Sequence, residues 1–206
     1  MRGTRSYCFL CMLSFSLATS VLAQEPRSAF EGWCDNLRGA TPHDLVEFLN
    51  GIRPDQNNTR CVTWAINKLG QERYEPAIPV LVRLLGFRRP ETRREEMGFH
   101  DLAISMVPFP AIEALEQIGA RSKPEVLRAI GAESTSSQAR ENAVEVLMTL
   151  NQSDHAKGIA CLKDEQSSTA DDEVKERFAS AIQQALRFCT GSERNACLKA
   201  ATKAAR

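Results

Sequence analysis

Neither sign of charge prevails in this chain, where 26 lysines and arginines stand against 26 aspartates and glutamates. Proteins that bind nucleic acid draw affinity from neutralising phosphates and carry a strongly basic balance, so the composition argues against that partner. Long apolar runs are missing after residue 23: none approaches the ~18 residues of a spanning helix, and no membrane span is expected in the mature chain. Alternating β-branched residues flanked by hairpin turns are absent too, which removes a β fold. No G-x-S-x-G, Gly-rich phosphate loop or paired-carboxylate motif occurs, so no reaction class and no cofactor is indicated.

What is present begins with a secretory signal. Arg2 and Arg5 precede an apolar run from Tyr7 to Leu17 and the small-residue segment Ala18-Thr19-Ser20-Val21-Leu22-Ala23. That is the three-part plan of a cleavable signal peptide, and the run is too short to cross roughly 30 Å of hydrocarbon. Residues 1–23 are therefore expected to be removed, with Gln24 as the mature start. No arginine pair precedes the run and no cysteine sits at the cleavage point, which leaves ordinary export to a periplasmic or extracellular compartment. The loss of two arginines gives the remaining 183 residues a formal net charge of −2. Residues 24–206 suit a single domain with a continuous core.

Cys8 and Cys11 leave with the signal; Cys34, Cys61, Cys161, Cys189 and Cys197 enter an oxidising compartment. Five is odd, so at least one stays outside an internal pair. The early pair suggests a Cys34–Cys61 bridge pinning the N-terminal segment. Among the late three, Cys189–Cys197 is preferred because Gly191 should end a helix between them, and Cys161–Cys189 across neighbouring helices stays open. These five contain no C-x-x-C, and structural bridges outweigh a redox site.

From Gln24 onward apolar residues recur at helical spacing, and the expected class is all-α. Thr41 caps a helix with Pro42 in its first turn and Asp44 near its positive end. A second helix runs from about Asn58 to Leu69, with Gly70 as a left-handed closing residue, and Pro76 opens a third that stops at Gly86. Pro110 begins a helix ending before Gly119. Ser122-Lys123-Pro124-Glu125 fits a capping box for the next, which ends at Gly131. The Ser134–Ser137 cluster leads into a helix closed by Asn151, Asp154 caps a short helix, and the polar stretch Gln166 to Asp172 precedes a long one. Gly191 and Ser192 start the last. Trp33 and Trp64 are read as packing of the N-terminal end, and Asn57 and Asn151 each open a glycosylation sequon.

Internal similarity organises this series. Ala65-Ile66-Asn67-Lys68-Leu69-Gly70 aligns with Ala114-Leu115-Glu116-Gln117-Ile118-Gly119, and each is followed by polar residues, a proline and a second apolar helix. Val146-Leu147-Met148-Thr149-Leu150-Asn151 is a third copy, 32 residues after the second when counted from Ile118 to Leu150. That spacing suits a two-helix repeat. The copies resemble HEAT-type repeats, in particular the short variety found in phycobilisome lyase-like proteins, from roughly Asn58 to Cys189. The resemblance implies a short right-handed α-solenoid of paired antiparallel helices, HEAT- or armadillo-like, with a concave face for partners. Chromophore-lyase activity does not carry over to an exported chain without a catalytic motif in its repeat. Metal-dependent hydroxylases built on similar repeats show recurring His-Glu pairs, whereas His43, His100 and His155 precede aspartate, aspartate and alanine, so no metal is expected.

The interval from Leu69 to Ile118 is 49 residues, 17 more than the next one, which localises an insertion at about residues 87–109. Arg88, Arg89, Arg93 and Arg94 could meet acidic groups of a protein partner, with Phe99, Met106 and Phe109 as apolar anchors and His100 between them. The ordinary alternative is a solvated loop in which Glu91, Glu95 and Glu96 balance the arginines. An enzyme reading would centre on His100-Asp101, yet adjacent helical residues point about 100° apart and form no triad edge. The sequence thus favours a non-enzymatic interaction scaffold over an enzyme at His100 or a purely structural, chaperone-like spacer.

Overall fold

The computed structural model of the chain describes Cys34, Leu37 and residues 39–53, 58–89 and 108–202. The expected signal segment 1–23, Trp33, Asn57 and the residues Arg93, Arg94, Phe99, His100 and Met106 of the expected insertion lie outside the described residues. Among those described, all regular structure is helical: nine α-helices, with short 3-10 turns at three junctions and no strand. No described helix is long and apolar enough to cross a membrane.

Helix α1 spans Pro42–Gly51 and starts as its sequence dictates. The Thr41 hydroxyl accepts from the Asp44 N–H at 3.3 Å while the Asp44 carboxylate accepts from the Thr41 N–H at 2.8 Å, a complete capping box. Helix α2 spans Thr59–Gln71 and runs past the expected stop at Gly70. The left-handed residue is instead Arg73, with φ 50. The Arg73 N–H donates to Gly70 O and the Tyr74 N–H to Leu69 O, at 2.8 and 3.0 Å, which is the double bond of a Schellman closure. A 3-10 turn over Glu75–Ala77 feeds α3, Ile78–Arg83, which ends before Gly86 in the turn Leu84-Leu85-Gly86.

The next described helices are α4 at Pro110–Ile118, α5 at Lys123–Gly131 and α6 at Ser137–Thr149. Gly119 does take positive φ, +87, as expected at the close of α4. Ser122 does not form the expected capping box. A 3-10 turn, Ala120–Ser122, runs straight into α5 and leaves Ser122 with helical dihedrals, so its buried hydroxyl faces backwards and donates to Gly119 O at 2.7 Å. Asn151 stops α6 through its side chain, not through a left-handed backbone: its amide donates to Leu147 O at 2.6 Å and accepts from Lys123 Nζ at 2.8 Å. Helix α7, His155–Ser168, is longer than expected because it takes up the polar stretch from Gln166. Asp171 then caps α8, Asp172–Ala185, and Gly191 at φ +57 begins the turn into α9, Arg194–Thr202.

Helix α2 packs on α4, α4 on α6 and α6 on α8, while α1 touches α3, α3 touches α5 and α5 touches α8. Helix α7 joins α8 and α9 at the C-terminal end. The similar segments lie in this first series, and their apolar positions form the core: Ala65, Ile66, Leu69, Ala114, Leu115 and Leu147 are all buried. A Cβ placed on Gly70 would lie 2.6 Å from Ala114 Cα, so the glycine of one copy seats the alanine of the next. Trp64 is partly buried against the same core.

Cys34 bonds to Cys61 with Cα atoms 5.4 Å apart, and Cys189 bonds to Cys197 with Cα atoms 6.4 Å apart. Both separations fall in the range a bridge needs. Cys161 is a half-buried free thiol, so the Cys161–Cys189 alternative is not formed. Two disulfides are consistent with an oxidising, exported location.

Candidate functional site

The described residues on either side of the expected insertion, Arg89 and Pro108, lie next to each other and form its base: the Arg89 N–H donates to the Pro108 carbonyl at 2.9 Å. Phe87 and Phe109 are both partly buried against the core on either side of this bond. Phe109 is extended, φ −116 and ψ 90, as the ring of Pro110 requires of the residue before it, and α4 begins at that proline. Arg88 is exposed and Arg89 half-buried. Of the residues proposed from sequence, the structure therefore brings together Arg88, Arg89 and Phe109 at the base, whereas Arg93, Arg94, Phe99, His100 and Met106 lie outside the described residues.

A cleft of about 610 Å³ lies at the foot of this base, between α3, α5 and the turn before α6. Val82, Leu84, Phe87, Ala129 and Ala139 supply its apolar lining, and Arg83, Arg128 and the Ser134–Ser136 segment its polar rim. Its walls are fixed where helices end, because the last carbonyls of a helix have no partner inside it and carry its negative pole. Arg83 Nη2 donates to Leu49 O at 2.6 Å, tying α3 to the end of α1. Asn142, buried in α6, donates to Leu85 O at 2.6 Å and accepts from Gln138.

Arg140 makes the most of such contacts. Its Nε donates to Ile130 O at 2.9 Å, and its Nη2 donates to Ala132 O and Thr135 O at 3.0 and 2.9 Å. Arg177 from α8 adds a bond to Gly131 O at 2.9 Å. Burial, followed by the nearby Arg177 charge, lowers the Arg140 pKa below the usual guanidinium value. At the rim, Arg128 pairs with Glu125.

A second depression, about 680 Å³, lies between α4 and α6 and is acidic in character, with Glu113, Glu116, Thr149 and Gln152 among its lining residues. Burial raises the pKa of Glu116, against a hydrogen bond from Thr149 that lowers it and the charges of Glu145 and Glu113 that add to the rise. Burial raises Glu145 as well. Gln117 donates to Glu113 at 3.2 Å, while its Oε1 is buried without a hydrogen-bond partner at the contact with Gly70.

Among the described residues no group of three His, Cys, Asp or Glu side chains could hold a metal ion. His43 lies 3.4 Å from Glu47, and His155 Nδ1 lies 2.9 Å from Glu193, which ties the start of α7 to the turn before α9. Neither pair lines either depression. The cleft residues Arg83 and Arg128, and Arg140 beside the cleft, carry no signal in the sequence. Each occupies an ordinary polar position of its own helix; the ends of other helices give Arg83 and Arg140 their roles, while Arg128 pairs within α5. Comparison with protein-family models, curated proteins and solved structures gives no match.

Proposed function

We propose that this chain is an exported, non-enzymatic interaction scaffold: a short right-handed α-solenoid of HEAT type that binds a protein partner through its helical face or at the insertion. The observation that carries the reading is the packing of similar segments on one another, Gly70 of α2 against Ala114 of α4. In a stacked repeat each unit covers its apolar stripe with the next, and a seat between equivalent segments is what that arrangement calls for. The alternating contacts α2–α4–α6–α8 and α1–α3–α5–α8 support it further. The closed base at Arg89 and Pro108 supports a discrete insertion, since loops carried on a rigid array of helices are favoured binding elements. The two disulfides support export.

Affinity capture from the native cell envelope with cross-linking tests the proposal. A specific partner is expected, with capture reduced when Arg88, Arg89, Arg93 and Arg94 are changed together to glutamate. Unchanged capture would remove the insertion arginines from the interface. Recovery of no saturable partner would leave a structural spacer.

A further inference from the structure

We propose that the depression between the C-terminal ends of α4 and α6 receives a basic peptide segment of the protein partner, with a lysine or arginine side chain ion-paired to Glu116. The inference rests on the interaction reading above and adds to it the place and chemistry of the contact. A volume of about 680 Å³ is in the range of sites that enclose a few side chains. Glu113 and Glu116 are the charged residues of its lining, and no lysine, arginine or histidine lines it. Gly119 and Ala120, just past α4, and Thr149 and Leu150, at the end of α6, form the wall on which both helices terminate.

The helix ends are a second source of negative potential, independent of the carboxylates. The carbonyl pole of a helix attracts cations, and a lysine, arginine or histidine in the last turn commonly answers it. Neither α4 nor α6 has a basic residue there. The basic side chains nearest in sequence are engaged elsewhere, Arg121 with Glu75 and Lys123 with Asn151 Oδ1. Among the described residues Glu116 forms no ion pair, and the charges that act on it, those of Glu145 and Glu113, are of its own sign. Gln117 adds an unused acceptor, because its Nε2 is spent on Glu113 and its Oε1 is buried without a hydrogen-bond partner. A half-buried carboxylate in such surroundings costs stability in the free chain, and a cation delivered by a partner offsets that cost in the complex. An acidic or purely apolar segment would bury Glu116 further with no counter-charge.

The test uses the full mature chain and a fluorescein-labelled peptide, acetyl-Gly-Ser-Arg-Lys-Leu-Arg-Gly-Ser-amide, followed by anisotropy. Two control peptides replace its basic residues by glutamine or by glutamate. Saturable binding of the basic probe is expected, with at least tenfold weaker binding of both controls. Glu116→Gln should weaken the probe tenfold or more while making the folded protein more stable at neutral pH, a combination that a merely structural carboxylate does not give. Ser153→Lys, at an exposed position of the lining, supplies a cation of the chain's own and should weaken the probe to a similar degree. Glu133→Gln, exposed and outside the depression, controls for overall charge and should leave the affinity unchanged. Equal binding of the glutamine peptide, unchanged affinity in folded Glu116→Gln or Ser153→Lys protein, an equal loss in Glu133→Gln, or absence of binding to the folded chain each overturns the inference. Self-association of the chain that the probe competes away would assign the depression to a second copy and overturns it too. Envelope capture that persists with Ser153→Lys would remove the depression and leave the interaction reading standing; loss of all capture by the wild-type chain would remove that reading itself.

Discussion

Arg73 carries the backbone out of α2 at φ 50, a conformation that costs a residue with a Cβ roughly 1–2 kcal/mol relative to the right-handed one. The side chain is exposed, so the cost is not offset by burial. Arg73→Gly should therefore raise stability by about 0.5–1 kcal/mol, part of the relief being lost to the greater freedom of glycine in the unfolded chain. Urea denaturation checks it, and an unchanged midpoint would mean the Schellman closure holds Arg73 without strain. Position 73 could not be picked out from sequence because Gly70 offered the cheaper left-handed residue three positions earlier. The core claimed Gly70 first. Asn151, by contrast, was legible as a stop, although its side chain supplies the mechanism in place of the expected backbone turn.

At the scale of helices the contact between α2 and α4 depends on an absent side chain. In an isolated helix Gly→Ala gains about 1 kcal/mol. Here the added methyl would meet the Ala114 backbone at 2.6 Å, and overpacking of that kind typically costs about 1–3 kcal/mol. Gly70→Ala is expected to lower stability by about 1–3 kcal/mol, measured by chemical denaturation; a stabilised variant would show that α2 and α4 can separate without penalty. Most helix starts were readable, since Thr41, Pro110 and Ser136 carry their signal in the residue itself. Ser122 misled because the same serine-to-glutamate spacing serves a capping box and a continuous 3-10 entry equally well. Only the direction in which the preceding helix arrives decides between them.

For the molecule as a whole, pH and redox state should act separately. Burial raises the Glu116 and Glu145 pKa values above those of the unfolded chain, so the folded state binds protons more tightly between the two. Their contribution is fully present below the unfolded value of about 4.3 and is lost as pH rises through the folded values. Glu116→Gln should therefore stabilise the protein at pH 7.5 and change little near pH 4, as read from denaturation midpoints at both. A gain of equal size at both pH values would mean that charge burial is not the cause. The bridges differ in the span they close, 27 residues for Cys34–Cys61 and 8 for Cys189–Cys197. Loop-closure entropy assigns them about 3.5 and 2.5 kcal/mol respectively. Replacing both cysteines of a pair by serine should reproduce that order in thermal unfolding, and the reverse order would point to packing at α9 as the larger effect.

The sequence by itself determined the helical class, most helix starts, the buried positions of the similar segments and the Cys34–Cys61 pairing, while the structure chose Cys189–Cys197 over Cys161–Cys189. These follow from local periodicity, capping chemistry and the spacing of thiols along one chain. The tertiary structure decided where Gly70 is used, how Ser122 and Asn151 serve the helix ends, and which arginines hold the ends of other helices. Arg83, Arg140 and Arg177 act on carbonyls of other elements, and a hydrogen bond to Leu49 or Gly131 leaves no periodic trace in the residues that make it. The partners of a helix end are set by which helix arrives beside it, and that is a property of packing rather than of local sequence.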